Sequence, residues 1–115
     1  MSTRAPVGLI AQAGNGAEFP ENSLDALQSA LQLGASRLLV DAQLSRDAEA
    51  FALRDADLRR ITQQTGSVLD LAAVDIAALR GLEPERFGDR FAAARIARLA
   101  DIAPLLRDWP DAQLW

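Results

Sequence analysis

Apolar positions in this chain fall into short runs broken by glycine, proline and charge, and the runs alternate between two periods. Residues 7–11 (V-G-L-I-A) form a continuous run bounded by Pro6 and the Gly14/Gly16 pair, which predicts a buried strand. After Pro20 the period changes. Leu24, Leu27 and Leu31 form a helical stripe, Ser23 is a good N-cap, Glu21 and Asp25 suit the positive end of the dipole, and Gly34 is the stop. Residues 37–44 return to a period of two, with Leu38, Val40, Ala42 and Leu44 on one face and Leu39, Asp41 and Gln43 on the other. Strand, helix and strand with a short return predict a parallel βαβ unit with a right-handed crossover.

Residues 45–49 are a charged turn, too short for a second parallel crossover. Residues 50–54 are therefore expected to fold back as a hairpin on the second strand. Beyond Arg59 the pattern is loop and helix. Residues 69–79 have helical spacing that stops near Gly81 and Pro84, and residues 83–90 are charged and turn-like. Residues 99–106 read as a helix with Pro104 in or near its first turn, and residues 112–115 open as another strand. The fold class is α/β.

Composition narrows the chemistry. The 115 residues suit one small domain, with roughly two thirds of the unfolded surface buried if the chain closes into a compact body. Net charge is -4, which gives no electrostatic case for nucleic acid or an anionic membrane. Histidine, cysteine and lysine are all absent, so every basic side chain is arginine. Disulfides, thiolate nucleophiles, Schiff bases and histidine- or thiolate-bound metals are excluded; carboxylate or carbonyl sites remain. No apolar run approaches the ~20 residues of a membrane span. The N-terminal M-S-T-R-A-P-V-G has no apolar signal core, so a cytoplasmic location is expected.

Several segments, in order, resemble the glycerophosphodiester phosphodiesterases. That family opens with a strand ending in His-Arg-Gly, then Pro-Glu-Asn-Thr at the head of the first helix; here the positions read Gln12-Ala13-Gly14 and Pro20-Glu21-Asn22-Ser23. The family's second strand carries Glu-x-Asp and a Thr-x-Asp-Gly turn, against Leu39-Val40-Asp41 and Ser45-Arg46-Asp47-Ala48 here. The family's hairpin strand ends in His-Asp, here Arg54-Asp55. Residues 57–68, 83–91 and 95–102 match the segments that follow. The resemblance implies a TIM (β/α)8 barrel. Residues 1–115 would form a single, incomplete domain: the first two β/α units, the hairpin and the start of the third barrel strand.

The resemblance also implies an active site with two histidines as general acid and base. A Mg²⁺ or Ca²⁺ ion would lie between the Glu-x-Asp pair and a later glutamate, and an arginine would hold the phosphate. Here Gln12 and Arg54 replace the histidines, Ala13 replaces the arginine and Leu39 replaces a metal carboxylate. The later glutamate would lie beyond Trp115. An amide and a guanidinium bind phosphate but do not transfer protons near neutral pH.

The residues left are Glu21, Asp41 and Asp55. Asp41 and Glu21 are the candidate metal ligands, and Arg54 and Gly14 the candidate phosphate contacts. Each has a structural alternative. Glu21 serves the helix dipole, Asp41 is a solvated strand end, Asp55 is a turn residue, and Arg54 pairs with Asp41 or Asp55. The expected function is that of a phosphodiesterase relative that has lost glycerophosphodiester hydrolysis. The alternatives are a module that self-associates or complements another barrel fragment, a truncated product without activity, and an enzyme running on carboxylates alone.

Overall fold

A computed structural model describes residues 9–115. Its first element is strand β1 (Leu9–Gln12), followed by helix α1 (Leu24–Gln32) and strand β2 (Ala35–Leu39). β1 and β2 pair in parallel, with Ile10 opposite Arg37, Ala11 opposite Leu38 and Gln12 opposite Leu39. The expected start of the first strand at residues 7 and 8 lies outside the described residues. The cap of α1 is as expected: Ser23 Oγ accepts the N–H of Ala26 at 3.1 Å. Its buried stripe is Ala26, Leu27, Ala30 and Leu31; Leu24 lies on the solvent side.

The expected single strand over residues 37–44 is two strands. β2 ends at Leu39, and β3 (Ala42–Leu44) starts after Val40 and Asp41 have turned the chain out of the parallel sheet. β3 pairs antiparallel with β4 (Ala50–Ala52), Gln43 opposite Phe51, so the predicted hairpin forms beside the main sheet rather than on it. Two backbone bonds fix the break. Val40 N–H reaches the Trp115 carbonyl at 3.1 Å, and Leu53 N–H reaches the Asp41 carbonyl at 3.0 Å. The one-face alternation therefore stops at Val40, and Ala42 and Leu44 are exposed.

Short helices follow: α2 (Arg59–Thr62), a 3-10 turn at Val68–Asp70, α3 (Ala73–Ala78) and α4 (Pro84–Phe87). The helix expected over residues 69–79 is thus broken at Leu71 and Ala72. Both pieces start on side-chain acceptors. Ser67 caps the first, and Ala73 N–H docks on the Asp47 carboxylate at 2.9 Å. Asp47 also accepts the Ser45 hydroxyl at 2.6 Å, and that bond first, then the Ala73 N–H, lowers its pKa.

Helix α5 (Leu99–Leu105) then returns to the sheet and continues as a 3-10 turn, Leu106–Asp108. Pro104 is its sixth residue, well past the first turn where it was expected. Strand β5 (Gln113–Leu114) pairs in parallel with β2, giving the order β1-β2-β5.

Two apolar clusters hold this together. One joins α1, β2 and α5 through Leu27, Leu31, Leu38, Ala97 and Ile102. The other lies under the hairpin and includes Phe51, Leu58, Ile61, Val68 and Ile76. Neighbours on β4 connect them, since Phe51 enters one cluster and Ala52 the other. Among the described residues no helix is long and apolar enough to cross a membrane.

Candidate active site

The loops at the carboxyl ends of β1, β2 and β4 meet at one end of the sheet. β1 ends at Gln12, whose register partner is Leu39 at the end of β2, so an amide and an apolar side chain share the sheet face there. The chain then turns through Ala13 (φ +60°) and Gly14 (φ +81°). A Cβ on Gly14 would lie 2.5 Å from the Ala26 carbonyl carbon and 2.8 Å from Leu27 N. Close approach to the backbone of α1 therefore requires this glycine. Its role is packing of the turn on the helix, whatever it contributes to a ligand.

The P-E-N segment is anchored at each residue. Pro20 is buried. Asn22, also buried, holds φ +59°, donates its N–H to the Ala13 carbonyl at 2.8 Å, and faces Asp41. Two contacts of 3.4 Å join that pair: Asn22 Nδ2 to Asp41 Oδ2, and Asp41 N to Asn22 Oδ1. Glu21 accepts Arg60 through both oxygens, at 2.7 and 3.0 Å, and its own N–H donates to Glu83 Oε2 at 2.7 Å.

Arg60 is the hub of this end. Its Nε also donates to Asp55 Oδ2 at 2.7 Å, so one guanidinium joins the first loop to the end of the hairpin. The hydrogen bonds to Arg60 hold the carboxyls of Glu21 and Asp55 below their ordinary range, against a smaller opposing effect of burial. The same pairing raises the pKa of Arg60. Arg54 projects outward with 64% of its side chain exposed, and its Nε lies 3.8 Å from Asp55. Its carbonyl accepts Gln43 Nε2 at 3.0 Å.

The structure thus places Gln12 and Leu39 at the ends of neighbouring strands, and Ala13, Glu21 and Asp41 on the segments that follow them. It also adds three residues that sequence reasoning missed: Arg60, Asn22 and Glu83. Asn22 had a signal, because it completes P-E-N. Arg60 and Glu83 had none, since they lie 39 and 62 positions from Glu21. The donor set does not fit a divalent cation of the kind the resemblance implies. Leu39 offers no oxygen, both Glu21 oxygens face Arg60, and among the described residues no three acidic groups converge.

The sequence model of the glycerophosphoryl diester phosphodiesterase family matches residues 13–113. The chain belongs to this family. A glycerophosphodiester phosphodiesterase of Caldanaerobacter subterraneus subsp. tengcongensis is 33% identical over 101 residues, a match covering 87% of this chain and 40% of that one. The solved glycerophosphodiester phosphodiesterase of Agrobacterium tumefaciens aligns with a TM-score of 0.82 and 30% identity, over 93% of this chain and 45% of its own. An Oleispira antarctica phosphodiesterase, solved with the product sn-glycerol-3-phosphate, has the same fold at 23% identity; its TM-score is 0.82, over 93% of this chain and 42% of its own. The chain spans 26 to 40% of the length of the curated relatives it matches. Its three parallel strands correspond to part of a TIM barrel of the glycerophosphodiester phosphodiesterase type, and no closed barrel forms among the described residues.

Proposed function

We propose that this chain is a glycerophosphodiester phosphodiesterase scaffold that does not turn over phosphodiesters. The observation that carries this reading is the loss of proton-transfer groups where the strands end. Gln12 and Arg54 stand at the two positions where the family motif has histidine, and neither moves a proton near neutral pH. The carboxylates nearby are poor substitutes. A carboxyl acting as a general acid needs a raised pKa, and Arg60 lowers those of Glu21 and Asp55. Each missing acid or base costs roughly 10²–10⁴ in rate, without simple additivity. Arg54 is an exposed cation at the end of the hairpin, so phosphate binding without hydrolysis is compatible with this reading. The test is glycerophosphodiester hydrolysis with added Mg²⁺ or Ca²⁺, beside the Caldanaerobacter relative. A rate about 10⁴-fold lower is expected; a rate within about tenfold of that relative's would sink the proposal.

The inner sheet face supports a second reading, in which residues 1–115 form an incomplete domain that docks to further β/α units of the same fold. Ala11 and Leu38 point toward α1. Their neighbours Ile10 and Leu39 point the other way and are 54% and 39% exposed. Trp115 continues that face, stacked under Arg37 at 5.4 Å and 62% exposed. The described residues supply three such strands of the eight of a closed barrel. The proposed occupant of this face is therefore the remaining β/α units of such a barrel. Mixing with the unmatched part of the Agrobacterium relative and sizing the product is the test. A 1:1 complex is expected, and a folded chain that ignores that polypeptide refutes the reading.

A further inference from the structure

Glu83 and Arg86 grip the first loop from outside, at both ends of residues 16–21. Glu83 is 4% exposed, and its two oxygens have separate tasks. Oε2 accepts the N–H of Glu21 at 2.7 Å, and Oε1 accepts Arg86 at 3.0 Å. Arg86 in turn donates to the carbonyl of Gly16. Between these points Phe19 packs edge-on against Phe91, with ring centroids 5.9 Å apart. The grip has a conformational cost, because Glu83 sits at φ +45°, a left-handed backbone that a residue with a Cβ avoids. Such a residue persists only where its surroundings over-determine it. Here they do: Glu83 N–H is bound to the Ile61 carbonyl at 2.6 Å, and its side chain is bound twice.

We infer that Glu83 is the positioning residue of the first loop. A buried carboxylate needs partners, and this one takes its backbone partner from Glu21. Fixing that N–H aims the Glu21 side chain at Arg60, while Asn22, one residue on, is held by the Ala13 carbonyl and by Asp41. The loop's own bonds flank Glu21 without taking its N–H: Glu18 and Phe19 donate to the Asn15 carbonyl, Asn22 to the Ala13 carbonyl, and the N–H and hydroxyl of Ser23 to the Pro20 carbonyl. The grip is independent of whether the chain turns over a phosphodiester.

Amide hydrogen exchange read residue by residue tests this, with Leu31 in α1 as the internal control. In Glu83→Ala the Glu21 amide is expected to exchange at least about tenfold faster while Leu31 is unchanged. Glu83→Gln keeps an oxygen for the same N–H and is expected to restore most of the protection, a rescue that simple loss of packing would not give. Unchanged protection of Glu21 in Glu83→Ala, or a loss matched by Leu31, overturns the inference. If Glu83→Ala does not fold, Glu83→Asp decides, because it draws the carboxylate back from the Glu21 N–H by one methylene: faster Glu21 exchange supports the inference, and unchanged exchange overturns it.

Discussion

Arg60 meets Glu21 through two parallel hydrogen bonds of 2.7 and 3.0 Å across 39 residues of sequence, and the same guanidinium holds Asp55 at 2.7 Å. The geometry is the bidentate fork that arginine makes and lysine does not. It joins the loop before α1 to the segment after β4, two parts of the chain with separate apolar clusters beneath them. The three side chains are partly exposed, so solvent screens the pairing and its worth is below that of a buried pair. Arg60→Ala is expected to destabilise the chain by about 1–2 kcal/mol, and Arg60→Lys to recover less than half of that. Urea denaturation of the three proteins measures both.

The same pairing sets an acid limit. Arg60 depresses the pKa values of Glu21 and Asp55 in the folded chain. A carboxyl with a lowered folded pKa binds its proton more readily when unfolded. Its stabilisation is complete above the unfolded values, about 3.9 for Asp and 4.3 for Glu, and is lost as pH falls through the lower folded values. Asp101 adds to this in the same direction through its bonds with Arg98. The urea midpoint is expected to hold from pH 7 to about 5 and to fall below about 4. Arg60→Ala flattens that fall, because Glu21 and Asp55 then titrate nearer their unfolded values. An equally steep fall in the variant would place the acid sensitivity elsewhere.

Gly14 and Gly34 separate two reasons for a glycine. Both have positive φ, +81° and +106°. A Cβ on Gly34 meets nothing within 4 Å, whereas one on Gly14 collides with the backbone of Ala26 and Leu27. Gly34→Ala is expected to cost about 1–2 kcal/mol from backbone strain alone. Gly14→Ala adds an overpacking cost of about 1–3 kcal/mol to a similar strain. Thermal unfolding of the two variants checks the order; equal losses would mean that the turn moves away from the helix.

Local signals carried much of this fold. Ser23, the apolar period after it and Gly34 located α1, and the short S-R-D turn located the hairpin, because caps and turns are written within a few residues. The boundary between β2 and β3 was not legible. Residues 37–44 keep apolar residues at every second position from Leu38 to Leu44, and the bonds that mark the break come from Leu53 and Trp115. The helix expected over residues 69–79 failed for a related reason, since the Asp47 carboxylate that starts α3 is 26 residues away. The site followed the same rule. Motif order pointed to Gln12, Ala13, Leu39 and Arg54, whereas Arg60 and Glu83 make their contacts with the first loop across the fold.

Pro104 lies at the sixth position of α5, where it removes the N–H that would reach the carbonyl four residues back. A proline in that place costs a helix up to ~3 kcal/mol, offset in part by the restriction it puts on the unfolded chain. Its neighbour Ile102 is fully buried against α1 and β2, which explains how packing keeps the helix in place despite the proline. Pro104→Ala is therefore expected to stabilise the chain by about 1–2 kcal/mol. A higher urea midpoint with an unchanged denaturant slope is the expected result. Destabilisation would show that the proline sets the bend into the 3-10 turn at Leu106–Asp108.

Leu39 is the replacement with the most direct consequence for a cation. It ends β2, two residues before Asp41, and its side chain is on the open face beside Gln12. Leu39→Glu would add a carboxylate on the open sheet face, two residues before Asp41, without removing the Arg60 pairings or the Asn22 contacts. Sites with few carboxylates and open water bind Ca²⁺ weakly, at about 10⁻⁴–10⁻³ M. The substituted chain is expected to bind Ca²⁺ in that range by calorimetry, and the parent chain at least about tenfold more weakly. Removing Asp41 as well, with Asp41→Asn, should abolish the gain. Equal affinity in parent and Leu39→Glu chains would mean that the ion uses other carboxylates. On the proposed reading no hydrolysis is expected in the calcium-loaded variant, because Gln12 and Arg54 do not transfer a proton near neutral pH. Metal affinity and turnover would then separate, and turnover would need the histidines back at both positions.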